Sequence, residues 1–177
     1  MNNDNKIRIL VQTAVFTALV CVATMIIQIP VPATGGYVNL GDGFIITGAF
    51  ILGMPYAALA GGIGSALADL LTGYAIYAPA TLVIKGLMAV AAFYCYKGVI
   101  KLKHDAAITG RVAGAVAAEI VMCAGYFCFS IILLGGNVQG ALLTIPGNLV
   151  QGAFGIISGV LMSVTVLKTG ILKKLTK

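Results

Sequence analysis

Charged residues are scarce in this sequence: they make up 9% of its 177 residues, whereas about 25% is usual for a soluble domain. Hydrophobic residues make up 60% of the chain and the mean hydropathy is +1.05, which excludes an ordinary soluble fold. A transmembrane helix needs about 20 mostly apolar residues. The length therefore allows roughly six spans, and we expect residues 1–177 to form a single membrane domain.

The sequence also lacks the signatures of several catalytic and metal-binding classes. It has no G-x-x-x-x-G-K-[ST] motif, so active transport needs an ion gradient or a partner that supplies energy. The 4 cysteines lie in apolar stretches without C-x-x-C or Cys/His spacing, which argues against zinc and iron–sulfur sites. A serine hydrolase needs a base close to its serine. The single histidine, His104, lies in a predicted loop, too far from Ser65 to act as such a base. We expect neither an enzyme nor a metal or cofactor site.

Six apolar segments, separated by proline, glycine or charge, predict an all-α integral membrane protein. The predicted spans are residues 9–29, 40–52, 56–72, 80–96, 112–134 and 147–167. Lys6 and Arg8 precede the first span as in a secretory signal, but its length suits a full crossing, so we interpret it as an uncleaved helix. The expected fold is a compact bundle of six transmembrane helices in the cell membrane.

The basic residues are confined to alternate ends of the predicted spans. The loops after spans one, three and five contain no Lys or Arg, which under the positive-inside rule makes the other ends, and both termini, cytoplasmic. No basic patch with interleaved aromatic residues suggests nucleic-acid binding, despite the net charge of +6. The basic residues outside the spans are Lys6, Arg8, Lys97, Lys101, Lys103, Arg111, Lys168, Lys173, Lys174 and Lys177.

Four ionisable residues lie inside the apolar segments: Asp42, Asp69, Lys85 and Glu119. A charge at the centre of a membrane helix costs on the order of 2.5–3.5 kcal/mol, so such residues are candidates for function. The topology places the first three in the outer leaflet, where they form either a structural ion-pair cluster or contacts to a polar solute. Glu119 lies deeper and is protonated, paired with Arg111 or part of a binding site; the sequence leaves these readings open.

Other polar side chains are predicted at the same outer level. Tyr37 and Asn39 lie in the first outer loop, Tyr74 and Tyr77 in the second, and Asn148 and Gln151 share one face at the start of the sixth span. Aromatic rings with a few hydrogen-bonding groups suit a flat polar heterocycle. An interfacial tyrosine belt is the alternative explanation for the tyrosines.

Small residues recur at four-residue spacing, a pattern that lets membrane helices approach closely. The stripes are Ala58-x3-Gly62-x3-Ala66, Gly110-x3-Gly114-x3-Ala118, Gly155-x3-Gly159 and Ala14-x3-Ala18. Packing within the bundle explains any one of them. Ala14 and Ala18 also adjoin a weakly polar stripe, from Thr13 to Gln28, so two edges of this helix are small and weakly polar. Such a helix can slide against another protein.

Several motifs together resemble the substrate-binding S component of energy-coupling factor (ECF) vitamin transporters, over almost the whole chain. The matching segments are GYVNLGD at 36–42, GGIGSALADLLTGY at 61–74, PATLVIKGL at 79–87, GYF at 125–127, IPGNLVQG at 145–152 and Ala14-x3-Ala18. These motifs distinguish the family well and one vitamin from another poorly. The chain most resembles the pyridoxine and hydroxymethylpyrimidine members, then those for riboflavin and pantothenate.

The resemblance implies a six-helix protein that binds a vitamin-like small molecule from outside, beneath the first loop. It also implies a membrane coupling subunit, contacted by Ala14 and Ala18, and two ATPase subunits that supply the energy. The candidate substrate-binding residues are Tyr37, Asn39, Asp42, Asp69, Tyr74, Tyr77, Lys85, Tyr126, Asn148 and Gln151.

A second hypothesis is a stand-alone, gradient-driven carrier or ion channel. In that case Asp69, Lys85 and Glu119 would form a proton or ion path. A purely structural membrane protein is a third possibility, without positive support in the sequence.

Overall fold

The computed structural model describes residues 3–32, 35–102 and 106–169, which form helices and one short hairpin. Lys103, His104, Lys173, Lys174 and Lys177 therefore lie outside the described residues. The elements are α1 Asn3–Ile26, β1 Gln28–Val31, β2 Gly36–Asn39, α2 Asp42–Ile51, α3 Tyr56–Leu71, α4 Ala78–Leu102, α5 Ala107–Leu133, α6 Val138–Leu142 and α7 Ile145–Lys168.

Two predicted loops contain secondary structure that the hydropathy pattern does not indicate. After α1, strands β1 and β2 pair antiparallel, with Pro30 opposite Tyr37, and after α5 the five-residue helix α6 is capped by the side chain of Asn137. The predicted loop at 97–111 is also shorter than expected, because α4 continues to Leu102 and α5 begins at Ala107. Helices can extend beyond an apolar core when their lysines reach into the polar region.

The expected helical architecture is present, but the helices differ in length. Within the described residues, four helical segments are long and apolar enough to cross a membrane, whereas α2 and α3 are shorter. At 1.5 Å per residue, α2 spans only about 15 Å, half the hydrocarbon thickness of a bilayer. Helix α2 is also the most enclosed of the described helices, with Ile45, Ile46 and Ala49 buried. It packs against α7, α4 and α3, so protein surrounds much of it.

The small-residue stripes of α3 and α5 lie between helices, as packing within the bundle requires. A Cβ atom added to Gly62 would lie 2.6 Å from the carbonyl oxygen of Leu82 in α4. A Cβ on Gly114 would lie equally close to the carbonyl oxygen of Ala92, at 2.6 Å. These helices are therefore close enough that only glycine fits at the crossing points.

Helix α1 differs because its two stripes face opposite environments. The weakly polar stripe faces inward: Cys21 and Thr24 are buried, and the α1 backbone at Thr17 contacts α3 at Gly64. This edge of α1 therefore packs within the bundle. Ala14 and Ala18 are exposed, so their stripe does not pack inside the described bundle.

Most of the described basic residues lie at one end of the bundle. The helices alternate in direction, and the described basic residues other than Lys85 lie near the helix ends opposite the hairpin, for example Lys6, Lys101 and Lys168. The hairpin end instead brings together Asp42 at the start of α2 and Asp69 near the end of α3.

A buried ion pair connects three helices at the hairpin end. The ammonium of Lys85 in α4 donates to Oδ1 of Asp42, and each residue is 1% exposed. The other carboxylate oxygen, Oδ2, accepts a hydrogen bond of 2.6 Å from the side-chain amide of Gln151 in α7. Both oxygens of Asp42 are therefore partnered, as a carboxylate without access to water requires.

We expect Lys85→Met to destabilise the fold strongly, because it leaves Asp42 as an uncompensated buried charge. Breaking one side of a buried pair typically costs about 3–5 kcal/mol. The double variant Lys85→Met/Asp42→Asn removes both charges and should recover much of that loss. Thermal unfolding in detergent micelles measures both effects. Equal stability of the wild type and the single variant would show that the pair does not stabilise the bundle.

Candidate functional site

A polar cavity lies beneath the hairpin, among α1, α3, α4, α5 and α7. Its volume is about 40 Å³, which holds roughly two or three water molecules. Residues from both strands and five helices contribute to its wall. They are Thr24, Val31, Gly36, Tyr37, Asn39, Ser65, Asp69, Tyr77, Thr81, Lys85, Tyr126, Ser130, Thr144, Asn148 and Gln151.

The structure brings the sequence-predicted residues together at this cavity. Tyr37, Asn39, Asp69, Tyr77, Lys85, Tyr126, Asn148 and Gln151 line it. The remaining two lie directly behind the wall. Asp42 is bonded to Lys85 and Gln151, and the ring of Tyr74 packs 4.5 Å from that of Tyr37.

Sequence reasoning missed the small hydroxyl residues of the wall. Thr24, Ser65, Thr81, Ser130 and Thr144 are all buried and line the cavity. Serine and threonine are common in membrane helices, where their hydroxyls can bond to the backbone of the preceding turn. Thr24 belongs to the weakly polar stripe on α1, and Ser65 and Thr81 lie within the motifs at 61–74 and 79–87. None of these features indicates that the hydroxyl groups face a cavity.

The hairpin is attached to α3 through a hydrogen bond between side chains. The Tyr37 hydroxyl on β2 donates to Oδ1 of Asp69 at 2.5 Å. Burial, together with the adjacent carboxylate, raises the pKa of the Tyr37 phenol, so Tyr37 remains a donor at neutral pH. Next to it, the rings of Tyr74 and Tyr77 lie 6.4 Å apart. Gly36 permits this packing, since a Cβ there would lie 3.1 Å from the Tyr77 ring.

The opposite wall joins the hairpin to α7. The backbone N–H of Asn39 donates to the side-chain oxygen of Gln151 at 2.8 Å, while the side-chain oxygen of Asn39 accepts from the N–H of Gly41 at 2.9 Å. Gln151 thus uses its oxygen for the hairpin and its nitrogen for Asp42. The spacing of Asn148 and Gln151 correctly predicts that both amides face inward, where they are 8% and 3% exposed.

The floor of the cavity consists of Lys85, Tyr126 and Thr81. The Lys85 ammonium lies 5.4 Å from the centre of the Tyr126 ring, close enough for a cation–π contact. The Tyr126 hydroxyl donates to Thr81 Oγ1 at 3.1 Å. The cation is therefore held by Asp42 on one side and an aromatic face on the other.

Several buried polar atoms of the wall have no hydrogen-bond partner within the described residues. They are Thr24 Oγ1, Ser65 Oγ, Asp69 Oδ2 and Asn148 Nδ2. Buried polar groups are normally hydrogen-bonded, and an unpaired one costs about 1–3 kcal/mol. A ligand or water in the cavity can satisfy these atoms.

Glu119 lies outside this cavity. Its two carboxylate oxygens are buried without a partner in the described residues, and it lines an apolar groove between α5 and α7 with Gly152 and Ile156. Its carboxylate occupies the space beside Gly155 of α7, where an added Cβ would collide with Oε1. The ion pair between Glu119 and Arg111 that the sequence allowed is not formed within the described residues. The guanidinium of Arg111 instead lies 5.6 Å from the centre of the Tyr96 ring.

The chemistry of the cavity is that of binding. It combines three tyrosine rings with hydroxyl, amide and carboxylate groups, which can stack on a small polar ring and hydrogen-bond to its edge. A ring of six atoms with substituents needs more room than about 40 Å³. Entry of such a ligand therefore requires displacement of the hairpin or of the tyrosine rings. Within residues 3–32, 35–102 and 106–169, no group of three His, Cys, Asp or Glu side chains is placed to hold a metal.

Comparison with known proteins relates this chain to transporters of vitamins and their precursors. A family model described as ECF-type riboflavin transporter, S component, matches residues 4–168. The thiamine precursor transporter HmpT of Lactococcus lactis subsp. cremoris is 30% identical over 179 aligned positions, covering 98% of this chain and 97% of the relative. An uncharacterized protein of Pyrococcus woesei is 40% identical over 141 residues, covering 79% of this chain and 88% of the relative.

The family match extends through every described element from α1 to α7, and the relationship to HmpT covers nearly the full length of both proteins. Together with the apolar helices, these matches identify a multi-pass protein of the cell membrane. The chain belongs to the family of ECF-type riboflavin transporter S components.

Proposed function

We propose that this chain binds a small water-soluble vitamin or vitamin precursor in the polar cavity and delivers it as the S component of an ECF-type importer. The observation that carries this proposal is the cavity itself, where aromatic rings and unpaired polar atoms converge. Hydroxymethylpyrimidine and pyridoxine are the leading ligands, and the relative HmpT, a thiamine precursor transporter, supports the first of them. Riboflavin, the vitamin in the name of the family, and pantothenate come next.

Within this proposal the ten candidate residues divide by their contacts. Tyr37, Tyr77 and Tyr126 supply ring faces, and Tyr74 packs behind Tyr37. Asn39, Asp69, Asn148 and Gln151 supply hydrogen-bonding groups of the wall. Asp42 and Lys85 hold the floor through their ion pair, and of the two only Lys85 lines the cavity.

The proposed orientation has the cavity facing outward and both termini in the cytoplasm, with all six main helices contributing to the membrane domain. The basic residues at the end opposite the hairpin support it, because cytoplasmic ends carry the excess of Lys and Arg. The short helices α2 and α3 fit this arrangement because the surrounding helices partly enclose them.

The proposed partners are a membrane coupling subunit and two ATPase subunits, with α1 as the contact to the first. Ala14 and Ala18 support this role because both are exposed on one face of α1. Two small residues separated by four positions allow close approach of a second helix. Exposed Val11, Val15 and Leu19 extend the same apolar surface.

Replacing the unpaired amide of Asn148 tests the binding site with little effect on the fold. Asn148→Leu should weaken ligand binding roughly tenfold, or about 1–1.5 kcal/mol, because a hydrogen bond to the ligand is lost. Stability should hold, since the Asn148 nitrogen has no partner to lose in the described protein. Titration calorimetry with hydroxymethylpyrimidine and pyridoxine measures the affinity, and Asn5→Leu at the exposed start of α1 is the matched control. Unchanged affinity would remove Asn148 from the site.

Enlarging the two alanines of α1 tests coupling to the ECF module. Ala14→Leu/Ala18→Leu should abolish uptake by proteoliposomes containing the complete module and leave ligand binding intact, because the exposed stripe is not part of the cavity. Ala153→Leu, on the exposed surface of α7, is the control and should transport normally. Loss of binding in the double variant would mean that the stripe supports the fold. Gradient-driven uptake by the chain alone would instead favour the stand-alone carrier.

A further inference from the structure

The only cation that lines the polar cavity within the described residues is already neutralised. The Lys85 ammonium donates to Asp42, and the second oxygen of that carboxylate accepts from Gln151 at 2.6 Å. Lys85 and Asp42 are each 1% exposed. An anionic ligand could form an ion pair with Lys85 only by separating Lys85 from Asp42. That separation would leave the buried carboxylate of Asp42 without a compensating charge.

Asp69 differs from Asp42 in forming no ion pair within the described residues. It is 2% exposed, and Oδ1 accepts from the neutral Tyr37 hydroxyl at 2.5 Å. Its second oxygen, Oδ2, is buried and accepts no hydrogen bond from a described residue. The Thr81 hydroxyl lies near the carboxylate. No described Lys or Arg forms an ion pair with Asp69, so a carboxylate charge at this position is not neutralised by an ion pair as that of Asp42 is.

The remaining unpaired atoms complete a recognition pattern. Asn148 Nδ2 is a donor, while Ser65 Oγ and Thr24 Oγ1 can donate or accept. A ligand that matches this pattern must donate a hydrogen bond to Asp69 and accept one from Asn148. An amine, hydroxyl or protonated ring nitrogen provides the first contact, and an unprotonated ring nitrogen or a hydroxyl oxygen provides the second.

We propose that Asp69 sets the charge selectivity of this cavity: it binds neutral or cationic nitrogen heterocycles and excludes anions, including the phosphate ester of the same ring. The inference rests on the proposed function and narrows it, because it ranks hydroxymethylpyrimidine and pyridoxine above pantothenate, whose carboxylate is anionic. Asp69 acts by accepting a hydrogen bond from the ligand. Its negative charge disfavours a second anion at close range, where water screens poorly.

A ligand panel on the wild-type chain tests this selectivity without any mutation. Titration calorimetry in detergent micelles compares hydroxymethylpyrimidine and pyridoxine with their phosphate esters and with pantothenate. We expect the uncharged forms to bind at least about 100-fold more tightly than the anions. Equal binding of a ring and its phosphate ester would overturn the selectivity and leave the vitamin-binding function standing. Binding of no member of the panel would overturn both.

The Asp69→Asn variant assigns the selectivity to one side chain. It should weaken binding of the uncharged ring roughly 10- to 100-fold, the expected loss for a hydrogen bond to a charged group, and should also narrow the ratio between ring and phosphate ester. A merely structural role would lower both affinities together and leave the ratio unchanged, which would contradict the proposal. Asp4→Asn, at the exposed start of α1, makes the same chemical change away from the cavity and should alter neither value.

Discussion

The buried ion pair between Asp42 and Lys85 is the constraint on which the polar end of the bundle depends. It fixes the start of α2 against α4, and through Gln151 it extends to α7 and the hairpin. An ion pair inside a protein stabilises the fold only when its remaining hydrogen-bonding capacity is also satisfied. Here the carboxylate meets that condition with two partners. These contacts hold Lys85 and Gln151 in place at the base of the polar cavity.

Helix packing creates the space in which this network lies. At Gly62 and Gly114 the helix backbones approach so closely that any side chain would collide with a neighbouring carbonyl group. Lipid provides no hydrophobic drive for helices to associate, so close van der Waals contact along such stripes must replace it. The stripe at Ala14 and Ala18 also consists of small residues, but both of them are exposed on the described bundle.

Much of the fold and of the site could be predicted from the sequence, for identifiable reasons. Long apolar runs gave the main helices, and the three-residue spacing of Asn148 and Gln151 placed both amides on one inward face. The partner of Lys85 could not be predicted, because Asp42 and Asp69 carry the same side chain. Only the three-dimensional positions show that Asp42 forms the ion pair. Hairpin β1–β2 was also missed: strands of four residues carry too little periodicity to distinguish them from a loop.

The contact between Tyr37 and Asp69 makes one carboxylate common to the hairpin and the cavity. One oxygen holds the hairpin and the other is unpaired. If the hairpin were displaced to admit a ligand, Asp69 would lose its tyrosine partner and could be hydrated instead. With the hairpin in its present position, a donor on a ligand would be needed to replace that water at Oδ2. An empty closed form therefore leaves a desolvated carboxylate only half satisfied, which favours closure over an occupied cavity.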